Sequence, residues 1–190
     1  QLMRQGFKGT IYMTPPTHDL VELILHDSVR ILAGEAKYKG RAPLYDEHDV
    51  TSLLARVETI SYRTEKEVAP GLSIYLRDTG HILGSASVRV KDSDGTTFAV
   101  TSDIGNSPAL LLPDAEPIPD ADVVLIESVY GDRQNPEKAH RLDKLQEVLM
   151  KAIARGGTVM MPAFSIERTQ LMLYEIGMLF ASGKVREVPV

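Results

Sequence analysis

Thr79-Gly80-His81-Ile82-Leu83-Gly84-Ser85-Ala86 is the stretch on which the reading of this chain turns. Upstream of it, Leu72, Ile74 and Leu76 alternate with Ser73, Tyr75 and Arg77, the period of a half-buried strand. Downstream, residues 86–90 read as a second strand, joined to a third over 97–101 by Asp92-Ser93-Asp94-Gly95, which has the Asp-Gly chemistry of a tight hairpin. The glycines flanking His81 let the backbone turn sharply between two strands and bring the imidazole into a cleft. Taken alone, the stretch leaves a chemical histidine and an ordinary turn histidine both open.

Two further polar features follow at strand ends. Thr101-Ser102-Asp103-Ile104-Gly105 places an aspartate after the third strand, where a carboxylate serves either an active site or a turn. Ile126-Glu127-Ser128 closes the continuously apolar run Val123-Val124-Leu125-Ile126, which reads as a strand covered on both faces. A carboxylate in such a place needs a partner, because burying it unpaired costs several kcal/mol. Between the third strand and this run, the proline-rich residues 108–119 read as a long loop.

Towards the N-terminus, residues 6–14 form a glycine-punctuated strand stopped by Pro15-Pro16. Thr17 then caps a helix with Leu20, Leu23, Ile24 and Ile31 as its apolar face. Residues 33–46 have no period and read as an exposed loop. Residues 49–56 suggest a short helix leading into a strand over 58–62. Towards the C-terminus the pattern becomes helical over 136–155, with Leu142, Leu145, Val148, Leu149, Ala152 and Ile153 on one face. Gly156-Gly157 ends that helix, residues 158–161 read as a short buried strand stopped by Pro162, and a second helix runs from 167 to about 180. A strand between two helices is a βα-type unit of a parallel sheet. The boundary between the two regimes is expected near Gly131.

The 190 residues are 43% hydrophobic and 25% charged, the composition of an ordinary globular chain. No apolar run approaches the roughly 20 residues of a membrane-spanning helix, so no membrane association is expected. The absence of cysteine excludes a disulfide scaffold, a cysteine nucleophile and a thiolate metal site. It fits a reducing, cytoplasmic setting. Gln1 leads the sequence, and no basic leader precedes an apolar stretch, so no signal peptide is expected. The 21 basic and 26 acidic residues give a net charge of −5, which argues against a uniformly basic nucleic-acid domain but leaves a local basic groove open. Of the five histidines, His18, His26, His48 and His140 sit among polar neighbours and read as solvated or structural. No two histidines have the His-x-His or His-x-x-x-His spacing that lets imidazoles share a metal.

Each of these signals is weak by itself, and their order is specific. Gly-His-Ile-Leu-Gly-Ser-Ala, then Thr-Ser-Asp-Ile-Gly, then Glu127-Ser128-Val129-Tyr130-Gly131-Asp132-Arg133 resembles the metallo-β-lactamase superfamily, and within it the β-CASP branch of nucleic-acid-processing nucleases. The resemblance continues through Gly156-Gly157-Thr158-Val159-Met160-Met161-Pro162-Ala163-Phe164-Ser165-Ile166-Glu167-Arg168-Thr169-Gln170 and back to the opening Gly-Phe-x-Gly-x-Ile-Tyr-x-Thr. It covers essentially the whole chain. It implies an α/β (α+β) fold: part of the metallo-β-lactamase αββα sandwich over 1–131, then the beginning of an α/β β-CASP domain over 132–190.

The resemblance also implies chemistry. His81 matches a histidine that ligates one of two metal ions, usually zinc, and Asp103 matches the aspartate that bridges both. Two adjacent cations lower the pKa of a bridging water until hydroxide forms near neutral pH. Glu127 matches the acidic residue that opens the β-CASP region and orients a histidine assisting the leaving group. Ser165 and Arg168 match positions facing the cleft, where Arg168 either contacts phosphate or pairs with a nearby carboxylate. Arg133 is equally open. The implied substrate is RNA, with DNA a lower-ranked alternative, and homo-oligomerisation is undetermined.

The family's His-x-His-x-Asp-His motif and its two later histidines are not in this sequence. The expectation is therefore an internal piece of a longer ribonuclease, metal-poor and inactive alone. The alternative is a non-catalytic scaffold or RNA-binding subunit.

Overall fold

The computed structural model describes residues 2–118, 120–132 and 140–190. It has the mixed α/β character expected, and it divides into two compact units, Gln1–Glu127 and Ser128–Val190.

In the first unit, a short 3-10 turn at Met3–Gln5 precedes strand β1 (Ile11–Met13). Helix α1 (Pro15–Tyr38) begins where the sequence suggested a stop. Thr14 is the N-cap, its hydroxyl accepting from the Thr17 amide at 3.3 Å, and Pro15 and Pro16 occupy the first helical positions. Proline is favoured there because those amides lack intrahelical partners in any case. The helix also runs on through the first part of the expected 33–46 loop. The apolar face read from the sequence is corrected too: Leu23 is 67% exposed and Ile31 53%, while Ala36 is buried and Val21, Leu25, Val29 and Leu32 are half-buried. Helix α1 carries two apolar stripes, and the one spaced 21-25-29-32-36 is the one that packs.

Helix α2 (Glu47–Leu54) packs on α1 and starts at a capping box, with Asp46 and Asp49 each accepting from the other's amide at 3.1 Å. Strand β2 (Val57–Thr59) lies parallel to β1 in a two-stranded sheet, Tyr12 opposite Glu58.

The main sheet has five strands in sequence order: β3 (Glu65–Ala69), β4 (Leu72–Asp78), β5 (Ala86–Lys91), β6 (Thr97–Val100) and β7 (Val123–Leu125). The first four pair antiparallel and β7 joins β6 in parallel. The Asp92–Gly95 turn closes the β5–β6 hairpin as expected, with Gly95 at φ 91°. Leu76 and Ala99 anchor the sheet's buried residues. Strand β7 departs from expectation. It is an edge strand among the described residues, and Val124 and Leu125 remain 48% and 66% exposed rather than covered on both faces.

The second unit holds helices α3 (Arg141–Ala154) and α4 (Arg168–Ala181). Leu149, Ile176, Leu179 and Val185 form its core, with Leu142, Leu145, Ile153, Val159, Met161 and Phe180 packed around them. Residues 136–139 of the expected helix, and Arg133, lie outside the described residues. Residues 158–161 form no strand, so the βα unit with a parallel sheet is not present among the described residues. Val159 and Met161 point into the core and Met160 outward, an alternation that lacks the hydrogen-bonded neighbour a strand requires. Between the helices, Arg141 donates to the buried Glu175 carboxylate through Nε at 3.0 Å and Nη2 at 2.6 Å.

Candidate active site

Strand β4 ends at Asp78, and the chain then turns through residues 79–85 before re-entering the sheet as β5. Asp78 Oδ1 accepts from the Gly80 amide at 2.7 Å, and the Thr79 amide donates to the Ser85 carbonyl at 3.3 Å. Inside the turn, Ser85 Oγ accepts from the His81 amide at 3.2 Å and the Ile82 amide at 3.3 Å. Gly80 has φ +62°, and a Cβ there would meet the Ala115 nitrogen at 2.8 Å and the Pro113 oxygen at 2.9 Å. The expectation that glycine is needed beside His81 therefore has a concrete basis in both backbone angle and space.

Three hydroxyls from distant parts of the first unit close on the same turn. Thr14 and Thr17 donate to the Gly84 carbonyl at 2.8 Å and 2.9 Å, and Tyr62 donates to the Ser85 carbonyl at 2.8 Å. Thr14 is almost wholly buried, and burial first, then the Asp78 charge, pushes the Tyr62 hydroxyl up to about 12. It remains a donor throughout the neutral range. None of the three was singled out for the site by the sequence reading. Thr14 directly before Pro-Pro is a visible cap signal, whereas nothing local marks Tyr62.

After β6, the chain places Asp103 against the His81 turn. The Gly105 amide donates to the Thr79 carbonyl at 2.7 Å, and the Thr79 and Ser102 hydroxyls are 3.2 Å apart. His81 Nε2 and Asp103 Oδ2 stand 3.5 Å apart, with side chains 43% and 68% exposed. That separation exceeds a well-formed hydrogen bond, and both side chains face solvent. Glu127 reaches the same loop. Its carboxylate accepts from the Ile104 amide at 3.3 Å, and its own amide donates to Thr101 Oγ1 at 3.0 Å. Three residues separated by tens of positions in sequence thus share one end of the sheet.

An imidazole nitrogen and a carboxylate oxygen, adjacent and open to solvent, are suitable donors for a divalent cation such as zinc. They are an incomplete set: no group of three or more His, Cys, Asp or Glu able to hold a metal occurs among the described residues.

Ser165 and Arg168 belong to the second unit. The Ser165 carbonyl accepts from Gln170 Nε2 at 2.9 Å, and the Phe164 carbonyl from Thr169 Oγ1 at 2.7 Å, so the turn before α4 is held by the first side chains of that helix. Glu167, just ahead of Arg168, has φ 65°. Arg168 is exposed, and no carboxylate partner of its guanidinium occurs among the described residues, unlike the ion-paired alternative considered from sequence.

No protein-family model matches the chain. Individual relatives do. Ribonuclease TTHA0252 of Thermus thermophilus is 32% identical over 174 residues, spanning 92% of this chain and 38% of its own length. The chain belongs to the β-CASP branch of the metallo-β-lactamase superfamily. Other relatives are the transcription termination factor FttA of Pyrococcus horikoshii, 34% identical over 97% of this chain, and an RNase J-like protein of Methanocaldococcus jannaschii, 32% identical over 95%. The chain spans 28% and 41% of those two proteins, so it corresponds to a minor part of each β-CASP relative. No helix among the described residues is long and apolar enough to cross a membrane.

Proposed function

We propose that the chain forms one wall of the catalytic centre of a metal-dependent, RNA-cleaving β-CASP hydrolase. The observation that carries the reading is the His81–Asp103 pair, 3.5 Å apart, brought together from the 79–85 turn and the loop after β6. The names of the Thermus and Methanocaldococcus relatives support ribonuclease as the activity.

In this reading His81 and Asp103 hold zinc, which when bound supplies Lewis acidity and a hydroxide near neutral pH. His81 contributes a neutral nitrogen lone pair, and Asp103 an anionic oxygen whose charge offsets repulsion between neighbouring cations. Glu127 keeps a second carboxylate on the Asp103 loop and orients a general acid supplied by residues outside this chain. Ser165 and the exposed Arg168 contact RNA phosphates, positioning the strand without reading its sequence. The remaining ligands come from parts of the parent protein corresponding to what the relatives have beyond the matched segment.

The test is metal content and cleavage of a labelled single-stranded RNA, measured for the 190-residue chain and for the parent protein at the relatives' length. The chain alone should hold less than one zinc after dialysis and should not cleave. The longer protein should cleave, and His81→Ala or Asp103→Ala should abolish cleavage and lower zinc content. Two tightly held zinc ions on the chain alone, or full activity in both variants, would refute the assignment. An intact parent protein that neither binds zinc nor cleaves would instead be a scaffold.

A further inference from the structure

We infer that Thr14, Thr17 and Tyr62 are positioning residues for His81, acting through the carbonyls of Gly84 and Ser85. The inference deepens the metal-site reading above and rests on it only for the consequence at the metal.

The geometry is redundant in a way that ordinary turn packing does not require. Two consecutive carbonyls, Gly84 and Ser85, receive three hydroxyl donors at 2.8–2.9 Å, from the α1 cap, the first turn of α1 and the segment after β2. The Thr14 and Thr17 oxygens are themselves 2.8 Å apart, so the α1 cap and the His81 turn share one hydrogen-bonded cluster. Gly84 is pressed so closely onto this cluster that a Cβ would stand 2.5 Å from Thr17 Oγ1 and 2.6 Å from the Thr17 nitrogen. From Ser85 the constraint passes inward, because its Oγ accepts the His81 and Ile82 amides. Moving His81 along the turn would therefore break contacts to two separate elements.

Such an arrangement suits a metal ligand. A ligand pair converges usefully only when backbone placement is held to a fraction of an ångström, and groups behind the ligands supply that precision. A threonine hydroxyl does this without adding charge beside the metal.

The experiment is backbone amide exchange by NMR on the 190-residue chain, with the His81 ring signals followed as Co2+ is added. Tyr62→Phe and Thr17→Val should each speed exchange at His81 and Ile82 by about tenfold. They should also weaken the Co2+ effect on the ring, and Thr17→Ser, which keeps the hydroxyl, should restore both readouts. Exchange at Leu76 and Ala99 reports global opening. Loosening that is equal there and at His81 would overturn the inference, as would unchanged exchange and Co2+ response in both variants. The exchange comparison decides whether the hydroxyls position the turn whatever the Co2+ response, and zinc binding by the longer protein remains the separate test of the metal reading.

Discussion

Gly105 and Gly80 meet backbone to backbone: a Cβ on Gly105 would stand 1.9 Å from the Gly80 carbonyl oxygen. The contact joins the Asp103 loop to the His81 turn with no side chain between them. Only glycine permits it, and here the reason is space rather than backbone angle.

Gly105→Ala must therefore part the two loops. Overpacking of this kind costs about 1–3 kcal/mol. We expect a lower unfolding midpoint in urea and, in the parent protein, loss of zinc together with loss of cleavage. A variant with wild-type midpoint and zinc content would show that the contact is dispensable.

Tyr62 ties stability to alkaline pH. Burial raises its pKa to about 12 in the folded chain, against about 10 when unfolded. The folded state then holds a proton that the unfolded state has released, so stability falls as pH rises through that window. Thermal melts between pH 9 and 12 should show the decline, and Tyr62→Phe should flatten it while lowering stability at neutral pH.

The candidate site is legible in the sequence only in part, and the dividing line is physical. His81 and Asp103 were visible because glycines and strand-ending carboxylates leave local signatures. The hydroxyls of Thr14 and Thr17 were not, because they act on Gly84 across 70 and 67 residues, and nothing in their own neighbourhood records that distance. Strand β3 escaped notice because Glu65-Lys66-Glu67 is charged, and its place in the sheet comes from pairing with β4. The error at 158–161 ran the other way. Its alternation is strand-like, but alternation reports which residues are buried and supplies no hydrogen-bonding partner.

Asp46 ties stability to acid. The Asp49 amide, bonded at the start of α2, contributes most to holding the Asp46 carboxyl below its usual range, with Arg4 assisting. A depressed carboxyl gives its full benefit above about pH 4 and loses it as pH falls through the folded value. Circular dichroism between pH 5 and 2 should show an acid-induced loss of helix that is smaller in Asp46→Ala, which begins less stable.

Glu175 and Arg141 test the second unit. Arg141 is partly exposed and Glu175 buried, so removing Arg141 strands the Glu175 carboxylate at a cost of about 1–3 kcal/mol. Arg141→Met should melt α3 and α4 well before the sheet of the first unit, and Arg141→Met with Glu175→Leu should recover most of the loss. A double variant no better than the single one would show that the pair's value lies in specificity rather than in avoiding a stranded charge.

The outer edge of β7 has a consequence for how the chain behaves in quantity. Val123-Val124-Leu125-Ile126 offers an uncharged run of backbone donors and acceptors with no strand beyond it in the sheet among the described residues. Such an edge is a template on which another chain can lay down a strand. Purified alone, the chain should self-associate as its concentration rises, visible as growing particle size in light scattering. Val124→Lys, a gatekeeper charge on the exposed strand, should suppress that growth and leave the His81 turn untouched.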